Sequence, residues 1–343
     1  MRAAFAERVR ACVVAGAVGD ALGAGVEFQS LAEIRRVHGP RGVERPLPCY
    51  GVAGAVITDD TQMTLFTLEG LIRAQSGDVE GSVHRAHRRW LATQRLSSPR
   101  RGHVELPGAG GVDLDGGLSD EAWLYALRAP GNACMSGLSS RRMGTPAHPQ
   151  NPGSKGCGAV MRSAPFGLVP AWSPEEAFTR AAECGAQTHG HPTGYVAAGA
   201  FAAIVRHLLA GEPLAGAVGH TVALLDAHEN GAETRDALAK AVAAAAQGIP
   251  SPELLESLGE GWIAEEALAM SVYCALAHAD DTAAALLLAV NHSGDSDSTG
   301  AITGNLLGLR NGLTGIPDAW LSALEGRTTI EGVSDAFAKH FAS

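Results

Sequence analysis

The chain has 343 residues, with 26 basic and 36 acidic side chains giving a formal charge of −10. That sign argues against a general phosphate-backbone binder, so no stable nucleic-acid partner is expected. Only 5% of the residues are aromatic, while Ala, Leu and Gly abound and alternating β-branched runs are few, so helices should dominate.

Ala11 to Val26 is an apolar stretch broken by Asp20 and by glycines at 16, 19 and 23, which share one helical face. It reads as a core helix that lets another helix approach closely, not as a signal peptide or membrane anchor. Asp20 and Glu27 stand out as carboxylates in otherwise apolar surroundings. Next comes Ile57-Thr58-Asp59-Asp60-Thr61-Gln62, followed by a helix expected over 61–75. The basic run His84-Arg85-Ala86-His87-Arg88-Arg89 reads as a solvated helix face. Residues 99–152 carry many glycines and prolines and should concentrate the loops, with a helix start at Ser119-Asp120-Glu121.

Asn151-Pro152-Gly153-Ser154-Lys155-Gly156-Cys157-Gly158 precedes a further helix start, and its small residues suit either phosphate oxygens or an ordinary turn. It is neither a Walker loop nor a nucleophile elbow. Ser173-Pro174-Glu175-Glu176 and Ser251-Pro252-Glu253 are capped helix starts. Gln187-Thr188-His189-Gly190-His191-Pro192 reads as a substrate contact or an inert loop, and less well as zinc ligands, because no third ligand is nearby. Helices are expected over about 193–210, 213–228, 232–247, 263–278, 282–290 and 299–312. Six cysteines lie apart with no C-x-x-C pair, which fits a reducing cytoplasm.

The last cluster, Ser293-Gly294-Asp295-Ser296-Asp297-Ser298-Thr299-Gly300, gives the strongest chemical signal when paired with the first. A helix start alone favours Asp, so either acidic cluster singly could be a cap. Each, however, runs straight into an apolar helix, where carboxylates cost several kcal/mol unless a cation or strong donors compensate. Together they suit a hard divalent ion with oxygen ligands, and contain no His or Cys for zinc. They lie some 235 residues apart, so the two ends of the chain must meet.

In order, Gly19-Asp20-Ala21-Leu22-Gly23 with Glu27, Thr58-Asp59-Asp60-Thr61, Ser154 to Arg162, Thr188-His189 and Gly294-Asp295-Ser296-Asp297-Ser298 resemble the ADP-ribosylglycohydrolase family over about residues 10–312. The resemblance implies an all-α fold, a single compact orthogonal bundle of many helices over 1–343 with a central metal-containing cleft. It implies two Mg²⁺ (or Mn²⁺) ions held by Thr58, Asp59, Asp60, Asp295, Asp297 and Ser298, with Thr299 as the other hydroxyl candidate. Glu27 and Asp59 would be catalytic. Ser154, Lys155, Gly156, Cys157 and Gly158 would hold a diphosphate, and His189 would lie near the distal ribose or phosphate. The partner implied is an ADP-ribosylated protein or other ADP-ribosyl conjugate, with arginine the first choice and no membrane involved. Trp123 or Tyr125 could meet the adenine. Two other readings compete: an idle ADP-ribose-binding or toxin-neutralising protein, and a two-metal nucleotide phosphohydrolase.

Overall fold

The computed structural model describes residues 2–74 and 77–342. Sixteen α-helices and one two-stranded sheet are present among them. The chain begins with α1 (Arg2–Gly23) and α2 (Leu31–His38), then α3 (Asp59–Arg73) and α4 (Val79–Arg95). A hairpin of β1 (Gly102–Leu106) and β2 (Gly110–Leu114) follows, antiparallel with Val104 opposite Val112. Then come α5 (Asn132–Ser139), α6 (Ala164–Gly167), α7 (Pro174–Gly185), α8 (Pro192–Leu209), α9 (Leu214–Asp226) and α10 (Ala232–Ala245). The C-terminal part holds α11 (Pro252–Glu256), α12 (Ala264–Ala277), α13 (Thr282–Val290), α14 (Ser296–Asn311), α15 (Asp318–Ala323) and α16 (Arg327–Phe341). The all-α expectation holds.

Packing centres on α1 and α14, which run against each other along their glycines. A Cβ on Gly19 would lie 2.0 Å from the Gly300 carbonyl oxygen, and one on Gly300 would lie 2.3 Å from that of Gly19. Gly304 meets Ala15, and Gly308 meets Ala11, in the same way. The helix expected to approach the Gly16, Gly19 and Gly23 face is therefore α14. Around this pair, α3, α8, α12, α13 and α16 close the core, whose large buried side chains include Phe66, Phe201, Tyr273 and Phe337.

Local expectations hold unevenly. The helices anticipated after residue 192 appear within three residues of their expected bounds, and α14 starts early enough to take Asp297 into its first turn. The helix expected over 61–75 runs Asp59–Arg73, and residue 75 lies outside the described residues. Ser119 opens no α-helix: its hydroxyl donates to the Gly116 carbonyl, and two 3-10 turns at 117–120 and 122–124 replace it. The hairpin within 102–114 was not expected in that loop-rich region. Its turn depends on Gly108 and Gly110 at φ +68° and +71°.

The basic run on α4 is not a solvated face. His87 is fully buried and shares a hydrogen bond with Thr67, and Arg89 pairs with Glu69 at 2.9 Å. Arg88 donates to the carbonyls of Leu138, Ser140, Ala109, Gly110 and Gly111. Hydrophobic neighbours at Val83, Ala86 and Trp90 turn this side of α4 inward. No helix among the described residues is long and apolar enough to cross a membrane.

Candidate functional site

The α1–α14 contact carries the two acidic clusters to one place. α3 begins at Asp59 with Thr58 as its cap, and α14 begins at Ser296 with Asp295 as its cap. Gly294 makes the second approach feasible: at φ +127°, its Cβ would lie 2.0 Å from the Glu260 carbonyl oxygen. Only a glycine fits that combination of backbone angle and contact. Both helix starts open into a cleft of about 450 Å³ lined by Glu27, Asp59, Asp60, Asp295 and Asp297. One carboxylate oxygen from each of Glu27, Asp295 and Asp297 lies within 4.8 Å of the others.

No lysine or arginine lines this cleft among the described residues. All five carboxylates are at least nine-tenths buried, and two oxygens, Glu27 Oε2 and Asp60 Oδ2, have no hydrogen-bond partner. Burial, with the Asp297 and Asp295 charges adding to it, pushes Glu27 up to about 11. Burial likewise holds Asp59, Asp60 and Asp295 well above the usual carboxylate range. Such an array is poorly stable as bare anions and is stabilised by protons or by cations. The orphaned oxygens and the all-oxygen donor set fit hard divalent ions.

Asp20 plays a different part. It is fully buried on α1, and its oxygens accept from the Thr58 amide at 3.0 and 3.1 Å, the Thr58 hydroxyl at 2.9 Å and the Thr61 amide at 3.1 Å. The Thr61 hydroxyl donates as well. Asp20 therefore fixes the start of α3 from behind. Burial first, and the Asp297 charge second, push it up to about 7. An isolated acid in an apolar helix was visible in the sequence, but its partners lie about 40 residues away in the chain.

The segment 128–131 forms one wall. Asp59 N–H donates to the Arg128 carbonyl, and Gly131 N–H donates to Asp59 Oδ2 at 3.2 Å. Ala129 sits at φ +52°, a conformation uncommon for a residue with a side chain. Arg128 anchors the wall by donating to the Ile57 carbonyl and to both oxygens of Glu325.

The 154–158 loop forms the floor. Ser154, Gly156, Cys157 and Gly158 line the cleft, whereas Lys155 points elsewhere, its ammonium held by Glu265 and by Glu233 at 3.2 Å. Cys157 donates its thiol to Asp295 and its amide to the Trp262 carbonyl. Ser298 lines the cleft, while the Thr299 hydroxyl faces His292 and the carbonyls of Ala289 and Asp295. Of the two hydroxyl candidates, Ser298 is thus the one beside the acids.

His189 also lines the cleft, but His191 does not join it: His191 caps α8 by accepting from the Thr193 amide. The expected aromatics are elsewhere too. Trp123 donates to Glu121 and packs on Gly326, and the Tyr125 hydroxyl donates to the Ser119 carbonyl. The aromatic side chains at the cleft are Phe28 and Trp262, stacked with centroids 5.6 Å apart and planes 16° from parallel. Phe28 is 72% exposed, so the stack forms the rim.

Behind the floor lies Arg162, 2% exposed and without an ion-pair partner among the described residues. It donates to Thr188 Oγ1 at 2.7 Å, Cys134 Sγ at 3.2 Å and Met63 Sδ at 3.4 Å. Thr188 in turn bonds His189 Nδ1 at 2.8 Å. Burial, with the Arg162 charge adding, pushes His189 down to about 3. The unfolded imidazole takes up a proton near pH 6.5. The folded one does not, so its contribution is complete above 6.5 and is lost as pH falls toward 3. Thermal unfolding at pH 7.5, 5.5 and 4.5 should show His189→Gln losing less stability with acid than the parent. Parallel curves would remove His189 from this account.

A mainly helical body encloses this buried, carboxylate-lined cleft with its small-residue floor, and comparison with known proteins identifies its class. The sequence profile of the family described as ADP-ribosylglycohydrolase matches residues 1–343. ADP-ribosyl-[dinitrogen reductase] glycohydrolase of Rhodospirillum rubrum is 26% identical over 92% of this chain and 89% of its own length. ADP-ribosylhydrolase ARH3 of Homo sapiens is 26% identical over 93% of this chain and 89% of its own. A solved structure titled ADP-ribosylglycohydrolase-related protein complex superposes with a TM-score of 0.62, covering 98% of this chain and 99% of that one, at 22% identity. The chain belongs to the ADP-ribosylglycohydrolase family. It is accordingly an enzyme of the class that hydrolyses the glycosidic bond of ADP-ribose conjugates.

Proposed function

We propose that the protein releases ADP-ribose from a modified protein side chain, with arginine the first candidate, and works with two Mg²⁺ or Mn²⁺ ions. The observation that carries this reading is the set of five buried carboxylates lining one cleft with no lysine or arginine among the described lining residues. Thr58, Asp59, Asp60, Asp295, Asp297 and Ser298 would hold the ions. When bound, such ions supply positive charge that neutralises the carboxylates, orients ribose hydroxyls and favours ionisation of water at neutral pH.

The chain's own groups account for the remaining chemistry. Glu27, a buried carboxyl in the cleft whose Oε2 has no partner in the protein, is suited to hand a proton to the departing nitrogen or oxygen as its bond to the anomeric carbon breaks. Asp59, held by the Gly131 amide, is suited to accept the proton of the water whose oxygen forms the new bond to that carbon. Ser154, Gly156, Cys157 and Gly158 would cradle the diphosphate against the floor, and neutral His189 would offer one hydrogen bond beside it. Partial exclusion of water by the Phe28–Trp262 rim strengthens these contacts.

The test is a panel of ADP-ribosylated arginine, serine and nucleobase substrates with Mg²⁺, Mn²⁺ or chelator, read by mass spectrometry. Intact ADP-ribose, formed only with metal and fastest from arginine, is expected. AMP as product would favour a nucleotide phosphohydrolase, and binding of ADP-ribose with no release from any substrate would favour an idle receptor.

A further inference from the structure

A second cluster of metal-ligating side chains lies at the α8–α9 corner, on residues that the cleft does not use. His207 sits in the last turn of α8, and Gly211 at φ +96° reverses the chain immediately after that helix. Glu212 folds back, its amide donating to the His207 carbonyl at 3.2 Å. His220 stands on α9, one turn and a half from that helix's start. The Glu212 carboxylate then bridges the two rings: Oε1 lies 2.8 Å from His207 Nδ1, and Oε2 lies 2.7 Å from His220 Nδ1. The rings are 5.2 Å apart and tilted by 44°. One ligand atom from each of the three residues lies within 4.8 Å of the other two.

We propose that His207, Glu212 and His220 form a binding site for a borderline divalent transition ion such as Zn²⁺ or Co²⁺, separate from the acidic cleft. Two imidazoles and one carboxylate are a donor set that zinc-like ions favour, whereas Mg²⁺ and Ca²⁺ prefer all-oxygen shells. The cleft and the corner thus differ in ligand chemistry within one chain.

Several features support an ion here over a simple hydrogen-bonded trio. Both rings turn Nδ1 toward the single Glu212 carboxylate, each to a different oxygen, so three ligand types converge on one small volume. Accessibility is graded: the side chains of His207, Glu212 and His220 are 14%, 32% and 65% exposed, so one ligand is anchored and one faces water. The adjacent cation is turned away, because Arg206 donates to the carbonyls of Trp172 and Pro170. Tetrahedral zinc bonds of about 2.0–2.2 Å would place neighbouring ligand atoms about 3.3 Å apart. The present separations of 2.7 and 2.8 Å are about 0.5 Å shorter, so the three side chains must spread by roughly that much to admit the ion.

Proton balance is simple. Each ring binds through a free Nδ1 lone pair, so a proton held on Nδ1 passes to Nε2 of the same ring or to solvent when the ion enters. Three protein ligands leave the fourth position to water.

The experiment uses the full chain with its cleft saturated by excess Mg²⁺, titrated with Co²⁺ and followed by visible absorption and calorimetry. The parent is expected to take up one equivalent of Co²⁺ more than His220→Ala and Glu212→Gln, with a ligand-field difference spectrum for that equivalent, while the circular dichroism is unchanged. His220 is exposed on its helix, so its loss should leave the fold intact. No Co²⁺ uptake by the parent, or the same uptake and spectrum in His220→Ala, overturns the proposal. Neither result bears on ADP-ribose release, which is read in the substrate panel.

Discussion

Asp60→Asn should leave the chelated protein as stable as the parent or melt a few degrees higher, yet deprive it of activity. Asp60 is 3% exposed with an unpartnered Oδ2, and the neighbouring Asp297, Asp20, Asp59 and Asp295 all raise its pKa beyond what burial already does. A neutral amide of the same shape removes one acid that must otherwise carry a charge or take up a proton in that repulsive group. In a structural network the same change would break needed hydrogen bonds and destabilise by about 1–3 kcal/mol. The two accounts thus predict opposite signs for the chelated protein. Changes to residues merely supporting a metal ligand cost about 10–100-fold in affinity or activity. Loss of a direct ligand should therefore slow ADP-ribose release by about a hundredfold or more. The same loss is expected of Asp59→Ala and Asp295→Ala. Thermal melts with chelator and with Mn²⁺, run beside the release assay, check both halves.

Gly19→Val should have the largest effect on stability. Its new Cβ would meet the Gly300 carbonyl oxygen at 2.0 Å and carbon at 2.4 Å, both backbone atoms within helix α14 that cannot swing aside. Overpacking of side chains alone costs about 1–3 kcal/mol, and a backbone clash along a helix pair should exceed that. Against a total stability of about 5–15 kcal/mol, much of the fold is at risk. Soluble yield and melting temperature should both fall steeply, and divalent-ion binding with them, because α1 and α14 set the distance between Asp20 and Asp297. Gly219→Ala is the control: nothing lies within 4 Å of its Cβ, so on α9 it should gain up to about 1 kcal/mol. Equal melting temperatures for the two variants would show that the glycine seam does not hold the site together.

Why some of this was legible in the sequence and some was not follows from the range of each interaction. Helix caps are local, so Ser173, Ser251 and the acidic starts of α3 and α14 announced themselves. The glycines of α1 implied a close partner without naming it, since α14 lies nearly 300 residues onward. Asp20 stood out as an acid among apolar residues, but its grip on Thr58 and Thr61 depends on tertiary approach. The basic run on α4 misled because charge content was visible and its partners, Glu69 and the carbonyls of 109–111 and 138–140, were not. Lys155 illustrates the same limit: its spacing in a small-residue loop suggested phosphate, and two distant glutamates hold its ammonium elsewhere. Phe28 and Trp262 meet across the rim from segments more than 230 residues apart, with no local pattern to pair them.

Acidic oxygens from near both ends of the chain are expected to enclose a pair of ions. Crystals grown with Mn²⁺ and measured at the manganese absorption edge test it most directly. The account predicts two anomalous peaks about 4 Å apart in the cleft, flanked by Asp60 on one side and Asp297 on the other. A fully ordered cleft with no peak between those residues, or manganese found only elsewhere, would contradict it.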